Sequence, residues 1–485
     1  MIRFEIEEIG RPNNDDKEAW KAHWKQQDQP WRTEPEIDAD RQKYLAERRS
    51  IIPNVEQGIY PFRDIKLSRA DVEWLLATHE NGQGPVDWQD ESQRNRQGLD
   101  MRGADLCHVD LSNLPLARIR SGLIWDEWPS NIEKYPNRVV VLMAEANLSG
   151  AHLTGAYLIS ANLTGVDFTD ANLEKAQLGF AHLEDAQLLR ANLKSFHLQE
   201  AHLERAKARC AHLERADLYM AHLEQADFSY ANMQDALLIG ASFEETDLTK
   251  AHLEDAHFNH AFLRGVLLNE AYLAGSHLNY VFMSDDIHVG PRMVDTHWGD
   301  VNLAVVKWSQ MDMLGDEYQA RQKKQDGEVK DKFTRLEEYD TAVRANRQLA
   351  VALHAQGLNE DAARFAYRGQ LMQRKVFWYQ RQFVHYLGSL FLDLLSGYGY
   401  RVGRCFIAYA LVIGVFAAMY HVLGTHPAWN EAVVISMTAF HGRGFFPDQF
   451  HPGDPQALAA AIEAFVGLLI EITLIVTLTQ RLFSK

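Results

Sequence analysis

The 485-residue chain reads as two kinds of structure in series: a solenoid whose backbone turns a corner every five residues, then α-helices carrying two apolar runs of membrane length. Three observations predict this. From Ala146 to Asp285 the residues repeat in fives without a frame break, and neither a 3.6-residue nor a 2-residue period accounts for them. The runs Cys405 to Leu423 and Ala457 to Thr479 approach the length of about 20 residues that crosses a bilayer core. The chain is also longer than one hydrophobic core usually organises, so two or three structural units are expected.

Composition bounds the function. A mean hydropathy of −0.31 and 24% charged residues describe a soluble chain on average, so any membrane part is local and confined to the C-terminal end. A net charge of −17 argues against nucleic-acid backbone binding, which needs clustered Lys and Arg. Cys107, Cys210 and Cys405 are odd in number and lack metal-ligand spacing, so free thiols in a reducing compartment are expected. The N-terminus has no basic stretch followed by an apolar run, which predicts no signal peptide and a cytoplasmic bulk.

The repeat comprises 28 pentads, ANLSG, AHLTG, AYLIS and onward to VFMSD; the first position is Ala in 22, and the third is Leu, Phe or Met in 27, with Ala208 the exception. Small and large apolar residues two apart suit a chain turning at every pentad with both side chains inward. Four corners close one square coil. Coils stacked at the spacing of paired strands, about 4.8 Å, bury the Ala and Leu ladders, and seven coils make a rod of about 34 Å. This pattern resembles the pentapeptide repeat proteins, which implies a right-handed quadrilateral β-helix. An earlier fragment, ADLCH, VDLSN, LPLAR, runs from Ala104 to Arg118 in another frame, so residues 119–143 read as an insertion.

Two surface features stand out. The outward second position is His in nine pentads, and His182, His202 and His222 fall 20 residues apart on one face. A metal ladder or pH sensor is one reading; a solvated polar ladder without metal is preferred, because no carboxylate pattern is recognised beside it. The repeats also carry a net charge of −10. Some pentapeptide repeat proteins resemble duplex DNA and bind type II topoisomerases, which the resemblance leaves as one alternative; solubility is the plainer reason for the charge.

Residues 1–103 are polar and aromatic-rich, with helical spacing from Asp38 to Ser50 and from Ser68 to His79, Ser68 as N-cap and Glu73 in the following turn. They are expected to cap the solenoid, 104–300. A charged linker follows over 301–335, then a tetratricopeptide-like hairpin over 336–380 with Asn359 capping its second helix, and an interfacial helix over 381–400.

The last part, 401–485, holds the two apolar runs, with Arg401 and Arg404 before the first and Arg481 and Lys485 after the second. The positive-inside rule places both ends in the cytoplasm, as in a bacterial inner membrane. Between them AWNEAVVISMTAF is too short to cross and return, so a re-entrant half-helix is expected. Helix, re-entrant segment, helix resembles the two-transmembrane channels of the potassium-channel type. The resemblance implies a homotetramer with filter positions at Thr438, Phe440, His441, Gly442, Arg443 and Gly444. The potassium-type TVGYG is absent: Phe440 replaces its Thr and Arg443 its Tyr, so potassium selectivity is not implied. Glu463 and Glu471, about 80° apart around a helix, with Gly467 between them, are candidate cavity-lining residues. Glu471 either lines a cation path or makes an interhelical hydrogen bond, and Gly467 permits a bend or close packing.

The expected function is an oligomeric cation channel in a lipid membrane, its partners inorganic ions, further copies of itself, and a cytoplasmic protein or ligand on the solenoid. The alternatives are a non-conducting membrane-anchored scaffold and an acidic DNA mimic. No enzyme motif and no cofactor motif is found: there is no Gly-rich phosphate loop, HExxH or nucleophile elbow.

Overall fold

The computed structural model describes residues 11–54, 57–122, 141–284, 289–324, 327–422, 427–442 and 454–483. They form two compact units dividing between Asp312 and Met313.

The first unit opens with α1 (Lys17–Gln26), α2 (Ala39–Arg49), α3 (Arg69–Ala77) and a short turn, α4 (His79–Gly82). The caps follow local sequence. Asp38 accepts from the Arg41 N–H, and Ser68 and Asp71 cap each other reciprocally at the start of α3. Glu73 on α3 is fully buried. Lys66 makes a parallel bridge with Asp105, and Arg69 donates to the Asp110 and Ser112 carbonyls, both at 3.2 Å, so this region lies against the first coils.

Most pentads of the solenoid turn through one hydrogen bond, as where the Ala151 N–H donates to the Leu148 carbonyl at 3.0 Å. Within these turns only the fifth pentad residue takes positive φ, the pattern of a type II turn. That position favours glycine, yet residues such as Asp170, Lys175 and Arg205 occupy it at φ 58°, 60° and 60°. The neighbouring coil holds them there: the Asp170 N–H donates to the Leu189 carbonyl at 3.0 Å, and the same bond recurs along the rod. First and third residues point inward, as with Ala171 and Leu173 at 1% and 0% exposure.

Coils pair residue by residue. Parallel bridges join positions 20 apart, His152 to Asn172 and Asn172 to Asn192, so four pentads make one coil. Because a turn begins directly after each bridging position, no strand forms among the described residues, which corrects the expectation of paired strands. The step lengthens to 37 across the expected insertion, from Asp105 to Leu142, while residues 123–140 lie outside the described ones. One boundary moves: the coils begin at the pentad holding Asp100, which bridges Arg120, while beyond the unbroken repeats they continue to His297, which bridges Tyr272 at a step of 25, inside the expected end at 300. Beyond them Trp308 is buried and its Nε1–H donates to the Leu303 carbonyl at 2.8 Å.

The second unit is α-helical: α5 (Gly315–Arg321), α6 (Lys332–Ala355), α7 (Asn359–Tyr379), α8 (Phe383–Ser396), α9 (Val402–Val422), α10 (Trp429–Phe440) and α11 (Pro455–Phe483). The expected linker contains a packed element. Glu317 on α5 is fully buried and accepts two bonds from Arg368 of α7, both at 2.8 Å. α6 and α7 form the expected hairpin, closed by Tyr339, Ala342, Val343, Met372 and Val376. Asn359 is the first residue of α7 and not its cap, a place taken by Leu358; its Oδ1 instead lies 2.7 Å from His354 Nδ1.

Candidate functional site

α9 and α11 are long and apolar enough to cross a membrane by length and composition, and only 17% and 28% of their most apolar stretches are buried. Their outward faces carry Ile407, Leu411, Phe465 and Ile475, each more than 60% exposed. A helix in a soluble core buries most of its apolar surface, so these faces await another apolar environment.

The two helices run antiparallel with α10 between them. Near the α9 C-terminus and α11 N-terminus, Ala417, Tyr420, Ala432, Ile435, Ala459 and Ala460 pack together. Further along, Phe440 at the end of α10 packs with Ile470 of α11 and Leu395 of α8. Phe440 also meets the Tyr409 ring edge-on at 4.7 Å. α10 therefore starts beside His421, whose ring stacks on Trp429, and ends beside Tyr409, about 18 Å back along α9 at 1.5 Å per residue. α11 begins, at Pro455, near the end of the pair where α10 begins.

Glu463 is fully buried at the junction of all three helices. The Tyr420 hydroxyl donates to its Oε2 at 2.9 Å and the Ser436 hydroxyl donates to its Oε1. Ser436 Oγ also stands 3.0 Å from the Ile413 carbonyl oxygen. Gly467 faces the Phe440 carbonyl so closely that a Cβ would stand 2.1 Å from that oxygen. Both residues thus face the interior of the subunit, which corrects their reading as cavity-lining; Gly467 serves close packing. Glu471 differs. It is about one-third exposed and pairs with His441, whose Nε2 lies 3.1 Å from the Tyr409 hydroxyl.

The filter positions separate accordingly. Thr438 returns its hydroxyl to the Val434 and Ile435 carbonyls of its own helix, both at 2.9 Å, and Phe440 is buried. His441 and Gly442 are exposed, Gly442 at φ 64°, and among the described residues no atom lies within 4 Å of the place a Cβ would take. Arg443 and Gly444 lie outside the described residues.

A second cluster, missed in the sequence, joins α7, α8 and α9 at Asp393. Tyr367 and Arg374 each donate to its carboxylate at 2.8 Å, and Arg404 donates to its carboxylate at 3.0 Å and to its carbonyl at 2.7 Å. Burial alone would raise the Asp393 carboxyl, but the bonds from Arg374 and Tyr367 and the charges of Arg374 and Arg404 outweigh it and hold the carboxyl below its ordinary range. A depressed carboxyl stabilises the fold above its unfolded value, near 3.9, and that stabilisation is lost as pH falls through the folded value. Asp393→Ala should lower stability by about 2 kcal/mol at neutral pH, in the range for charged hydrogen bonds. The gap between wild-type and variant thermal midpoints should hold from pH 7 to about 5 and close as the pH falls below the ordinary carboxyl value near 3.9; a gap that persists unchanged there would show that the carboxylate is not the cause.

The histidine column has company that the sequence reading overlooked. His182, His202 and His222 are each followed two residues on by glutamate, and Nδ1 to Oε1 distances are 3.0, 3.0 and 3.6 Å. The spelling AHLE carried this signal openly.

Residues 146–185, 186–225, 220–255 and 251–285 match the family model for pentapeptide repeats. No curated protein matches the chain. Among solved structures it is similar to full-length QnrB1, a plasmid-mediated fluoroquinolone resistance protein, at 18% identity over 44% of this chain and 95% of that one, TM-score 0.22. It is also similar to Rfr23 of the cyanobacterium Cyanothece 51142, at 24% identity over 40% and 89%, TM-score 0.12. A protein of the Arabidopsis thaliana thylakoid lumen matches at 17% identity over 31% and 87%, TM-score 0.18. The family match, which these superpositions do not extend, agrees with the 20-residue bridging register, and residues 146–285 of the chain are a pentapeptide-repeat solenoid.

Proposed function

We propose that the chain is one subunit of an oligomeric membrane ion channel, cation-conducting without dependence on potassium, in which the solenoids form a cytoplasmic sensing or docking assembly. The observation that carries this reading is the course of α10, which ends part-way along the α9 and α11 pair, while α11 begins near the end where α10 starts. A short helix ending at depth needs a polar lining for the backbone beyond it. Glu471 and His441 supply polar groups there and are open on one side of the subunit. One subunit has too few spans to enclose a water path, so several copies are required, and a homotetramer fits the channel resemblance. The solenoid is taken as the right-handed quadrilateral β-helix of its family, with both chain ends on the cytoplasmic side of a bacterial inner membrane. Asp393 links the hairpin and α8 to the start of α9, a route by which movement below would reach the spans.

The test is current through planar bilayers containing purified protein under asymmetric KCl. Cation-selective current is expected, and Glu471→Gln should lower cation preference by about fivefold, the effect of about 1 kcal/mol of lost charge attraction at aqueous dielectric. Arg443→Ala, at the neighbouring filter position, should change conductance or selectivity in the same recordings. Silence of the wild type at all voltages would instead favour a membrane-anchored scaffold, a reading supported by the use of Glu463 and Gly467 in packing.

A further inference from the structure

We propose that the His202, His222, Glu184, Glu204 and Glu224 side chains form a binding site on the solenoid for a borderline divalent cation of the zinc class. The three histidine rings lie almost parallel, 5.1 Å apart between His182 and His202 and 4.7 Å between His202 and His222. Beside them the three glutamates repeat one coil apart. Ligand atoms of Glu184, His202 and Glu204 all lie within 4.8 Å of one another, and so do those of Glu204, His222 and Glu224. Two overlapping sets of three thus share Glu204.

Charge sets this column apart from several of its neighbours. There Asp170 is neutralised by Arg190, Asp185 by Arg205, Glu244 by Arg264 and Glu214 by Lys194, each across a step of 20 residues. Among the described residues no Lys or Arg forms an ion pair with Glu184, Glu204 or Glu224. Like charges one coil apart repel, and the imidazoles offset that only when protonated. Glu204 Oε2 and Glu224 Oε2 are also shielded from solvent with no hydrogen-bond partner. A buried, unpartnered carboxylate oxygen is costly, and a cation would satisfy both oxygens and the column's charge.

The donor set selects the ion. One imidazole nitrogen and two carboxylates suit Zn²⁺ and its first-row neighbours, whereas Ca²⁺ and Mg²⁺ prefer oxygen alone. With bonds of about 2.0 to 2.2 Å, tetrahedral ligands stand about 3.3 Å apart, and the Nδ1 to Oε1 distances of 3.0 and 3.6 Å at His202 and His222 bracket that separation. Three protein ligands leave one position for water, so the ion would exchange. The shared Glu204 and the repulsion of two dications one coil apart make the second ion weaker than the first.

The test uses full-length protein in detergent, stripped by chelator and titrated with ZnCl₂ by calorimetry, with Co²⁺ absorption as a second readout. His202→Asn with His222→Asn removes the nitrogen ligands while keeping a polar stack of the kind that Asn172 and Asn192 make on another face, 3.0 Å apart. The control is His257→Asn with His277→Asn, a pair stacked at 4.6 Å whose +2 positions are Asn259 and Asn279. Zinc uptake by the wild type and the control, resistant to millimolar Mg²⁺, with affinity at least about tenfold weaker in the first double variant, is expected. Equal uptake by all three proteins, equal loss in both double variants, or no uptake by the wild type would overturn the site. A circular-dichroism melt of each variant verifies that the solenoid is folded.

Discussion

Gly467→Ala should lower the thermal midpoint of the detergent-purified protein and abolish any current it carries, at a cost of about 3 kcal/mol. The added Cβ would lie 2.1 Å from the Phe440 carbonyl oxygen and 2.9 Å from its carbon. Both obstructing atoms are backbone, so no rotamer change relieves the contact, and the upper part of the usual overpacking range applies. The end of α10 must move away from α11. That movement also opens the Phe440 contacts with Ile470 and Tyr409 and, one helical turn along α11, the pairing of Glu471 with His441. Intrinsic propensity acts in the opposite direction, since Ala is better than Gly inside a helix by about 1 kcal/mol. Gly414→Ala on α9 is the matched control, because a Cβ there meets nothing within 4 Å. It should be neutral or slightly stabilising within the subunit. If Gly467→Ala melted with the wild type, the close approach of α10 to α11 would be wrong, and with it the depth assigned to the end of α10.

The parts that were legible in the sequence are those whose determinants are local. A pentad states its own inward residues, so Ala146 to Asp285 could be read directly, and the 20-residue coil followed from four pentad corners closing a square. Ser68 and Asp38 announced helices that begin next to them. Membrane-length runs are likewise local, and α9 and α11 begin and end close to the apolar stretches. What stayed hidden depends on partners distant in sequence. Glu463 finds Tyr420 and Ser436, which stand 43 and 27 residues away, and nothing in the spacing of Glu463 from Glu471 tells a buried carboxyl from an open one. Asp393 lay within an apolar stretch read as interfacial, while its partners sit on two other helices. Glu317 lay in a charged segment that reads as a linker because its apolar neighbours are few. The glutamates beside His202 and His222 are a different case: the signal was present two residues away, and only the stacking of coils made a site of it.

Glu73→Ala should release the N-terminal region from the solenoid by about 3 to 5 kcal/mol, the range for breaking a buried charge pair. The carboxylate has no exposure and receives only donors: the Thr33 N–H at 2.9 and 3.0 Å, the Thr33 hydroxyl at 3.0 Å, the Glu34 N–H at 2.9 Å and Arg69 Nε at 2.8 Å. Removing it leaves two backbone amides and a guanidinium facing one another in a buried space. Arg69 is also the residue that reaches the Asp110 and Ser112 carbonyls of the solenoid, so its displacement uncovers the first coils. Glu73→Gln keeps the volume but turns an NH₂ towards some of the same donors, and therefore rescues only part of the loss. The measurement is amide exchange at Thr33 and Glu34 in full-length protein, where the cost appears as exchange faster by about two to three and a half orders of magnitude at 1.4 kcal/mol per tenfold. Local exchange is the right readout, because it reports the opening of this region by itself. Exchange at these amides unchanged in Glu73→Ala would mean that the region is held by its Trp20 and Trp24 packing and not by the carboxylate. Acceleration in Glu73→Ala with a smaller effect in Glu73→Gln is what a donor-only pocket requires.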